Sequence, residues 1–390
     1  MKVLVIGGGI AGTATALGLH KAGFDVSVFE AHPDTAEDIG AFLTLASDGM
    51  RALAQLGAID AVTPVGFPLT SLRLLDSEGT EVARRPLGEA DDPALRYRCL
   101  LRGALNAALQ GETLRRGIPL RHGVRLESVT DGPDGITARF ADGTTATGDL
   151  LIGADGLHST VRRLLQPGIR PQYAGQRVYY GYTGAAAGPG PGPAGAITMV
   201  RGSATAFGYA VSPAGETYWF ARVGGDPLPA GAPAAPPAVL REQLLPLLRK
   251  DSTPAAGLVE ACDEAIMVTN ATEVPLGIPW HTGRALLIGD AAHAASPATG
   301  QGASMALEDA VVLAKALRDL PEPETASAAY ERHRRPRVEH NTTVSGGLSR
   351  GTGTPSRPAP GKDRAAGPDE RLIRQLAWDT PLSAVPPEPY

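Results

Sequence analysis

Cysteine is scarce in this chain of 390 residues, with only Cys99 and Cys262. They lie too far apart for any short metal or dithiol motif, so a zinc ribbon or a CxxC redox protein is excluded and no metal site is expected. An excess of either charge sign is also missing. With 36 Lys+Arg against 41 Asp+Glu, the formal net charge is -5, which argues against a nucleic-acid or anionic-membrane partner. Long hydrophobic runs are lacking as well: MKVLVIGG reaches glycine after a short apolar stretch, too soon for a signal-peptide core or a ~20-residue membrane span. The expectation is a soluble, cytoplasmic protein, monomer or homodimer. Its length exceeds the ~100–200 residues usual for one domain, so two closely associated domains with a sizeable core are expected.

Glycine, in contrast, is abundant, at 48 residues, and its placement carries the information. Lys2 to Ile6 is an apolar run of the kind that forms a parallel strand buried on both faces. Gly7, Gly9 and Gly12 follow as G-x-G-x-x-G. The first permits a tight turn, the second lets a pyrophosphate approach the backbone, and the third lets a helix from about Ile10 to Ala22 pack on its strand. The helix N-terminus favours an anion. After Gly23, DVSVFE reads as a second strand ending on Glu30, the acid expected to hold a ribose hydroxyl.

Two later segments repeat the pattern of strand, tight turn and helix start. LLIGADGLHSTVRR delivers Asp155 to a glycine turn before a helix near Val161 to Leu165, where an acid can order the loop or accept from a sugar. GRALLIGDAAHAASPATGQGASMALEDA delivers Gly289-Asp290 and then opens a helix at Gly300-Gln301-Gly302-Ala303. Met305, Leu307, Val311, Val312 and Leu317 mark one apolar face of that helix. Amides at its start suit the negative charge near N1 and O2 of a reduced flavin. A nicotinamide dehydrogenase has no use for such a turn, so FAD is the cofactor read here.

Taken together, these motifs resemble the single-component FAD-dependent aromatic hydroxylases of the para-hydroxybenzoate hydroxylase fold, over roughly residues 1 to 345. The resemblance implies an α/β fold: a Rossmann-like FAD-binding domain interleaved with a smaller, mainly antiparallel β-sheet substrate domain. It implies tightly but non-covalently bound FAD, NAD(P)H as a transient co-substrate, and O2 with a small aromatic molecule as the remaining reactants. The implied activity is a monooxygenase that hydroxylates an aromatic or polycyclic, polyketide-like molecule through a flavin C4a-hydroperoxide. The cofactor residues implied are Gly7, Gly9, Ile10, Ala11, Gly12, Glu30, Ala31, Thr44, Arg102, Leu126, Asp155, Asp290, Pro297, Gly300, Gln301, Gly302 and Ala303. Competing readings are a reductase, epoxidase or halogenase-like enzyme on the same fold, and a non-catalytic FAD-fold binding protein. The halogenase W-x-W-x-I-P motif is missing from the sequence.

The motif order makes the FAD domain discontinuous, over 1–72, 97–175 and 272–345. Residues 73–96 and 176–271 form the substrate domain, and 346–390 a tail, in part mobile, with room for a short helix. Gly184 to Gly195, Asp226 to Pro237 and Gly351 to Pro368 read as loops, and Pro236 to Leu248 as a helix. No catalytic side chain is singled out, because the flavin carries the chemistry. His293 and His158 are read as structural and loop residues. Tyr218 is the pocket candidate, alternating with Phe220 on one strand face while Trp219 takes the other. An arginine that some relatives carry near Thr205 for an anionic ring is missing, although Arg201 and Arg222 are close, which favours an uncharged polycyclic substrate. Many relatives also carry a nucleotide-binding arginine between Glu30 and Gly40, where this chain has Asp34, Glu37 and Asp38.

Overall fold

The computed structural model describes residues 1–35, 41–89, 92–184, 192–193, 195, 196–229, 231, 235–262, 266–352 and 369–385. Much of the loop and tail sequence read above as irregular, including 36–40, 185–191 and 353–368, lies outside the described residues.

Lys2–Ile6 is buried at four of its five positions and sits inside a six-stranded sheet. Its parallel neighbours are Asp25–Phe29 on one side and Leu150–Gly153 on the other, and Ala285–Leu287 pairs with the latter. Three segments separated by more than a hundred residues therefore lie side by side. Because the strands run parallel, their turns at Gly7, Ala154 and Ile288 emerge at one sheet edge, where α/β folds bind ligands.

The helix Gly302–Asp319 departs from the single apolar face expected of it. Every residue from Ser304 to Leu317 is buried, because the helix is packed among Ile10–Lys21, Ser47–Leu56 and Pro323–Arg350. Glu308, Asp309 and Lys315 are taken inside with it, and each has partners there. Lys315 Nζ donates to the carbonyls of Gln375 and Ala377, both at 2.6 Å. That contact secures a short helix, Glu370–Leu376, capped by Asp369.

A second, seven-stranded sheet mixes one parallel pair with antiparallel ones, in the order Met267–Glu273, Gln172–Thr183, Thr217–Gly224, Ala206–Val211, Ala196–Arg201, Ser71–Leu75 and Glu81–Pro86. Alternation gives it two distinct faces. Tyr179, Phe207, Trp219 and Ala221 pack against the helices Pro237–Leu248 and Ala255–Glu260. Val178, Tyr180, Phe220 and Arg222 point the other way, toward the parallel sheet. Among the described residues no helix is long and apolar enough to cross a membrane.

Candidate active site

Between the edge of the parallel sheet and the second sheet lies a cavity of about 810 Å³. The glycine turn forms one end. Gly7 holds φ at 108°, and a Cβ there would meet the Ala154 carbonyl oxygen at 2.4 Å, so only glycine fits. A Cβ on Gly12 would lie 1.9 Å from the Gly7 carbonyl oxygen, which is the close helix packing expected of the third glycine. Apart from its chain neighbours, no atom of a described residue lies within 4 Å of that position on Gly9, which opens onto the cavity. Glu30 stands at the end of its strand, where its carboxylate accepts from the Gly8 amide at 2.5 Å and the His32 amide at 2.7 Å.

The second segment is spent on its own turn. Asp155 accepts from Ser159 Oγ at 2.5 Å and from the amides of Thr160 and Val161 at 2.6 and 3.1 Å, at the start of the helix Thr160–Leu165, whose N-cap is Ser159. Burial pushes the Asp155 carboxyl above its ordinary range, and the Ser159 and amide hydrogen bonds oppose that shift. Replacing Asp155 with alanine is expected to destabilise the protein by about 1–2 kcal/mol by leaving the Ser159 hydroxyl and the Thr160 and Val161 amides without their acceptor. An unchanged melting midpoint in calorimetry would contradict that role.

The third segment is locked from behind. Asp309 Oδ2 accepts from the Gly289 amide at 3.1 Å and pairs with His293 Nε2 at 2.5 Å, while Arg334 Nε donates to Oδ1 at 2.8 Å. Burial alone would raise the Asp309 carboxyl, but His293 and Arg334 hold it down at about 2. His293 also packs its ring on Trp280, with centroids 5.1 Å apart. It is thereby engaged as a structural residue. Arg162 ties the second segment to the third, with Nη1 donating to the Ala291 carbonyl at 2.7 Å and Nη2 to that of Leu157 at 2.5 Å. Arg162 and Asp309 both lie within the quoted motifs, but their spacing alone does not say that they bind these loops.

All the proposed cofactor residues except Gly12 line the cavity. Tyr218 does not. It packs on Phe42, Phe67 and Tyr182, with centroids 5.7, 5.6 and 5.1 Å away, beside the cavity. Strand alternation puts Tyr218 on the face it shares with Phe220 and Arg222 without saying which face meets the cavity, and position along the strand decides which residues reach the opening, among them Phe220, Arg222 and, from the neighbouring strand, Tyr180. Phe42, Tyr97 and Met199 complete a largely apolar wall that sequence reading had not assembled.

The family model described as an FAD binding domain matches residues 1–345. The chain belongs to that family, the FAD-dependent aromatic hydroxylases. It is 34% identical over 334 residues to the aurachin C monooxygenase/isomerase of Stigmatella aurantiaca, covering 85% of this chain and 84% of that protein. It is 33% identical over 356 residues to the FAD-dependent urate hydroxylase of Klebsiella pneumoniae, covering 87% of each. The crystal structure of Klebsiella pneumoniae HpxO with FAD and uric acid superposes with a TM-score of 0.79 at 27% identity, covering 99% of this chain and 96% of that one. As an FAD-dependent hydroxylase, this chain offers a cavity suited to its cofactor. Gly9 leaves open space at the glycine turn, and the helices starting at Ile10 and Gly302 both open onto the same cavity, where their amides attract anionic groups.

Proposed function

We propose that this enzyme uses NAD(P)H and O2 to hydroxylate an electron-rich ring of an aromatic or polycyclic small molecule. The observation that carries this reading is the continuity of the cavity: the glycine turn at Gly7 and Gly9, the loop Pro297–Ala303 and the apolar wall of Phe220 and Met199 share one space. A cofactor and a ring can thus lie in contact within one cavity. The urate and aurachin C specificities in the names of two relatives agree with a ring substrate.

Within that space Gly9, Ile10 and Ala11 would take the pyrophosphate, and Glu30 with Ala31 the adenosine ribose. Arg102, Thr44, Leu126 and Asp290 would follow the ribityl chain, with Asp155 holding its turn beside them. Pro297 and the turn Gly300 to Ala303 would border the isoalloxazine ring. Bound FAD supplies the redox chemistry, taking a hydride and activating O2. The protein's part is to orient the ring and exclude water. The amides opening the Gly302–Asp319 helix stabilise negative charge beside the cofactor. Tyr97, hydrogen-bonded to Gln301, steadies that turn.

The test is FAD-loaded protein supplied with NADH or NADPH and a panel of hydroxyarenes under 18O2. Label in a hydroxylated product is the expected result. Reduced nicotinamide consumed with only hydrogen peroxide formed, whatever the ring supplied, would overturn the assignment. Asp290→Ala is expected to raise the FAD dissociation constant by about tenfold to a hundredfold, the value of one charge-assisted hydrogen bond of about 1.5–3 kcal/mol. Fluorescence titration of the apoprotein with FAD measures it, and an unchanged constant would remove Asp290 from the cofactor site.

A further inference from the structure

At the substrate end of the cavity stands a cation that forms no ion pair among the described residues. Arg222 occupies the cavity face of the Thr217–Gly224 strand, across from Val178 and diagonal to Tyr180. Among the described residues its one hydrogen bond runs from Nη1 to the Ala298 carbonyl at 3.4 Å, and its buried Nε has no partner. No carboxylate among the described residues forms an ion pair with it. Glu30, Asp155 and Asp290 line the same cavity, yet Asp155 is committed to Ser159 and the first amides of its helix, Glu30 to the amides of Gly8 and His32, and Asp290 is the residue assigned above to the ribityl chain.

The phenol beside Arg222 is equally uncommitted. Tyr180 makes no hydrogen bond to a described residue, and burial pushes its hydroxyl up to about 12, with Arg222 and Arg102 pulling the other way. It stays a neutral donor at any working pH. Burial also lowers the Arg222 guanidinium from its ordinary value, but an arginine keeps its charge in proteins. A full positive charge thus sits against Val178, Phe220 and Met199, where a low local dielectric strengthens its pull on any anion that enters.

We infer that Arg222 binds the ionised ring oxygen of the substrate, a phenolate or the enolate of a vinylogous acid, with Tyr180 donating a second hydrogen bond to the same oxygen. The inference deepens the hydroxylase reading and rests on it for the meaning of the bound ring. Ala298 belongs to the loop that borders the flavin ring in that reading, so an oxygen held beside it is attached to the ring being oxidised rather than to a distant substituent. On binding, the hydroxyl gives its proton to solvent and keeps the electron pair, which delocalises into the ring and raises the nucleophilicity of the ortho and para carbons. Arg222 is therefore a substrate-binding and specificity-determining residue. The sequence-based preference for an uncharged substrate is narrowed to one that is neutral in water and anionic in the site.

The test uses FAD-loaded protein without reduced nicotinamide, so that binding and ionisation are read apart from oxygen insertion. The probe is 7-hydroxycoumarin, whose phenol and phenolate absorb at different wavelengths, with 7-methoxycoumarin and coumarin-3-carboxylic acid as controls. Wild-type protein is expected to lower the apparent pKa of bound 7-hydroxycoumarin by one unit or more. Arg222→Met is expected to abolish that shift and weaken 7-hydroxycoumarin at least tenfold, leaving 7-methoxycoumarin and FAD affinity within twofold. Arg222→Lys is expected to restore part of the shift. The proposal is overturned by the absence of saturable 7-hydroxycoumarin binding, by a shift that survives Arg222→Met, or by equal losses for both ethers and phenols. A stronger Arg222 dependence for the carboxylate control would make the site an acid pocket, and a moved flavin midpoint potential with unmoved probe binding would assign Arg222 to the cofactor; either result overturns it. Failure of labelled oxygen to enter any ring, with the ionisation shift intact, would count against the hydroxylase reading alone.

Discussion

Replacing Asp309 with alanine is expected to cost about 3–5 kcal/mol of stability and to loosen the flavin-side loop at the same time. The carboxylate is fully buried, as is its partner Arg334. Arg334 also contacts Glu308 at 2.8 Å, and Glu308 in turn pairs with Arg337 at 2.9 Å. Removing Asp309 leaves the Arg334 guanidinium, the His293 imidazole and the Gly289 amide short of their shared buried partner. Denaturant titration should show the midpoint fall, and FAD titration should show weaker binding because Gly289 precedes Asp290. A loss below about 1 kcal/mol would mean the network relaxes around the gap.

The same residue predicts an acid dependence. His293 and Arg334 hold its native carboxyl at about 2, below the ordinary aspartate value of 3.8, so its ionised form is favoured by folding. The associated stability is fully present above the unfolded value and is lost as pH falls from about 4 through about 2. Asp309→Asn should flatten the stability profile in that window, and a parallel profile would show that other carboxylates dominate acid unfolding.

Gly12→Ala is expected to have the second large effect. Its new Cβ would stand 1.9 Å from the Gly7 carbonyl oxygen and 3.0 Å from the Gly7 carbonyl carbon. Both are backbone atoms held by the tight turn, so the helix Ile10–Lys21 must move away from its strand. A cost of about 3 kcal/mol is expected, at the upper end for overpacking, with FAD binding lost as the turn is displaced. Gly9→Ala makes the informative contrast. Apart from its chain neighbours, its Cβ would meet no atom of a described residue within 4 Å, so the apoprotein should melt as wild type while FAD binds at least tenfold more weakly. Thermal melts with and without FAD separate the two variants. Equal apoprotein midpoints for both would refute the packing role of Gly12.

Part of the site was legible because its determinants are local. The tight turn at Gly7, the strand ending on Glu30 and the helix opened by Gly302 each depend on residues within about one turn or one strand of each other, and spacing alone records that. The helix carrying Asp309 shows where local reading stops. Its period of apolar residues identified one buried face, yet the helix is buried all round, because neighbours from Pro323–Arg350 bring the arginines that make charged burial tolerable. No local period can report a partner 25 residues away, as Arg334 is from Asp309.

The second sheet shows the same limit at the substrate. Tyr179 and Tyr180, or Trp219 and Phe220, are adjacent aromatics that alternation sends to opposite faces, and nothing in the alternation says which face meets a cofactor. Helices Pro237–Leu248 and Ala255–Glu260 cover one face and thereby leave Tyr180, Phe220 and Arg222 to the cavity. Sequence by itself determined a dinucleotide turn, because such a turn imposes steric demands on consecutive residues, and the segment from Gly289-Asp290 to Ala303 turned that reading to flavin, with fold and family following from the resemblance these motifs carry. Only tertiary structure decided which side chains surround the substrate, since those side chains meet through strand pairing across long loops and through the packing that chooses one face of a sheet over the other.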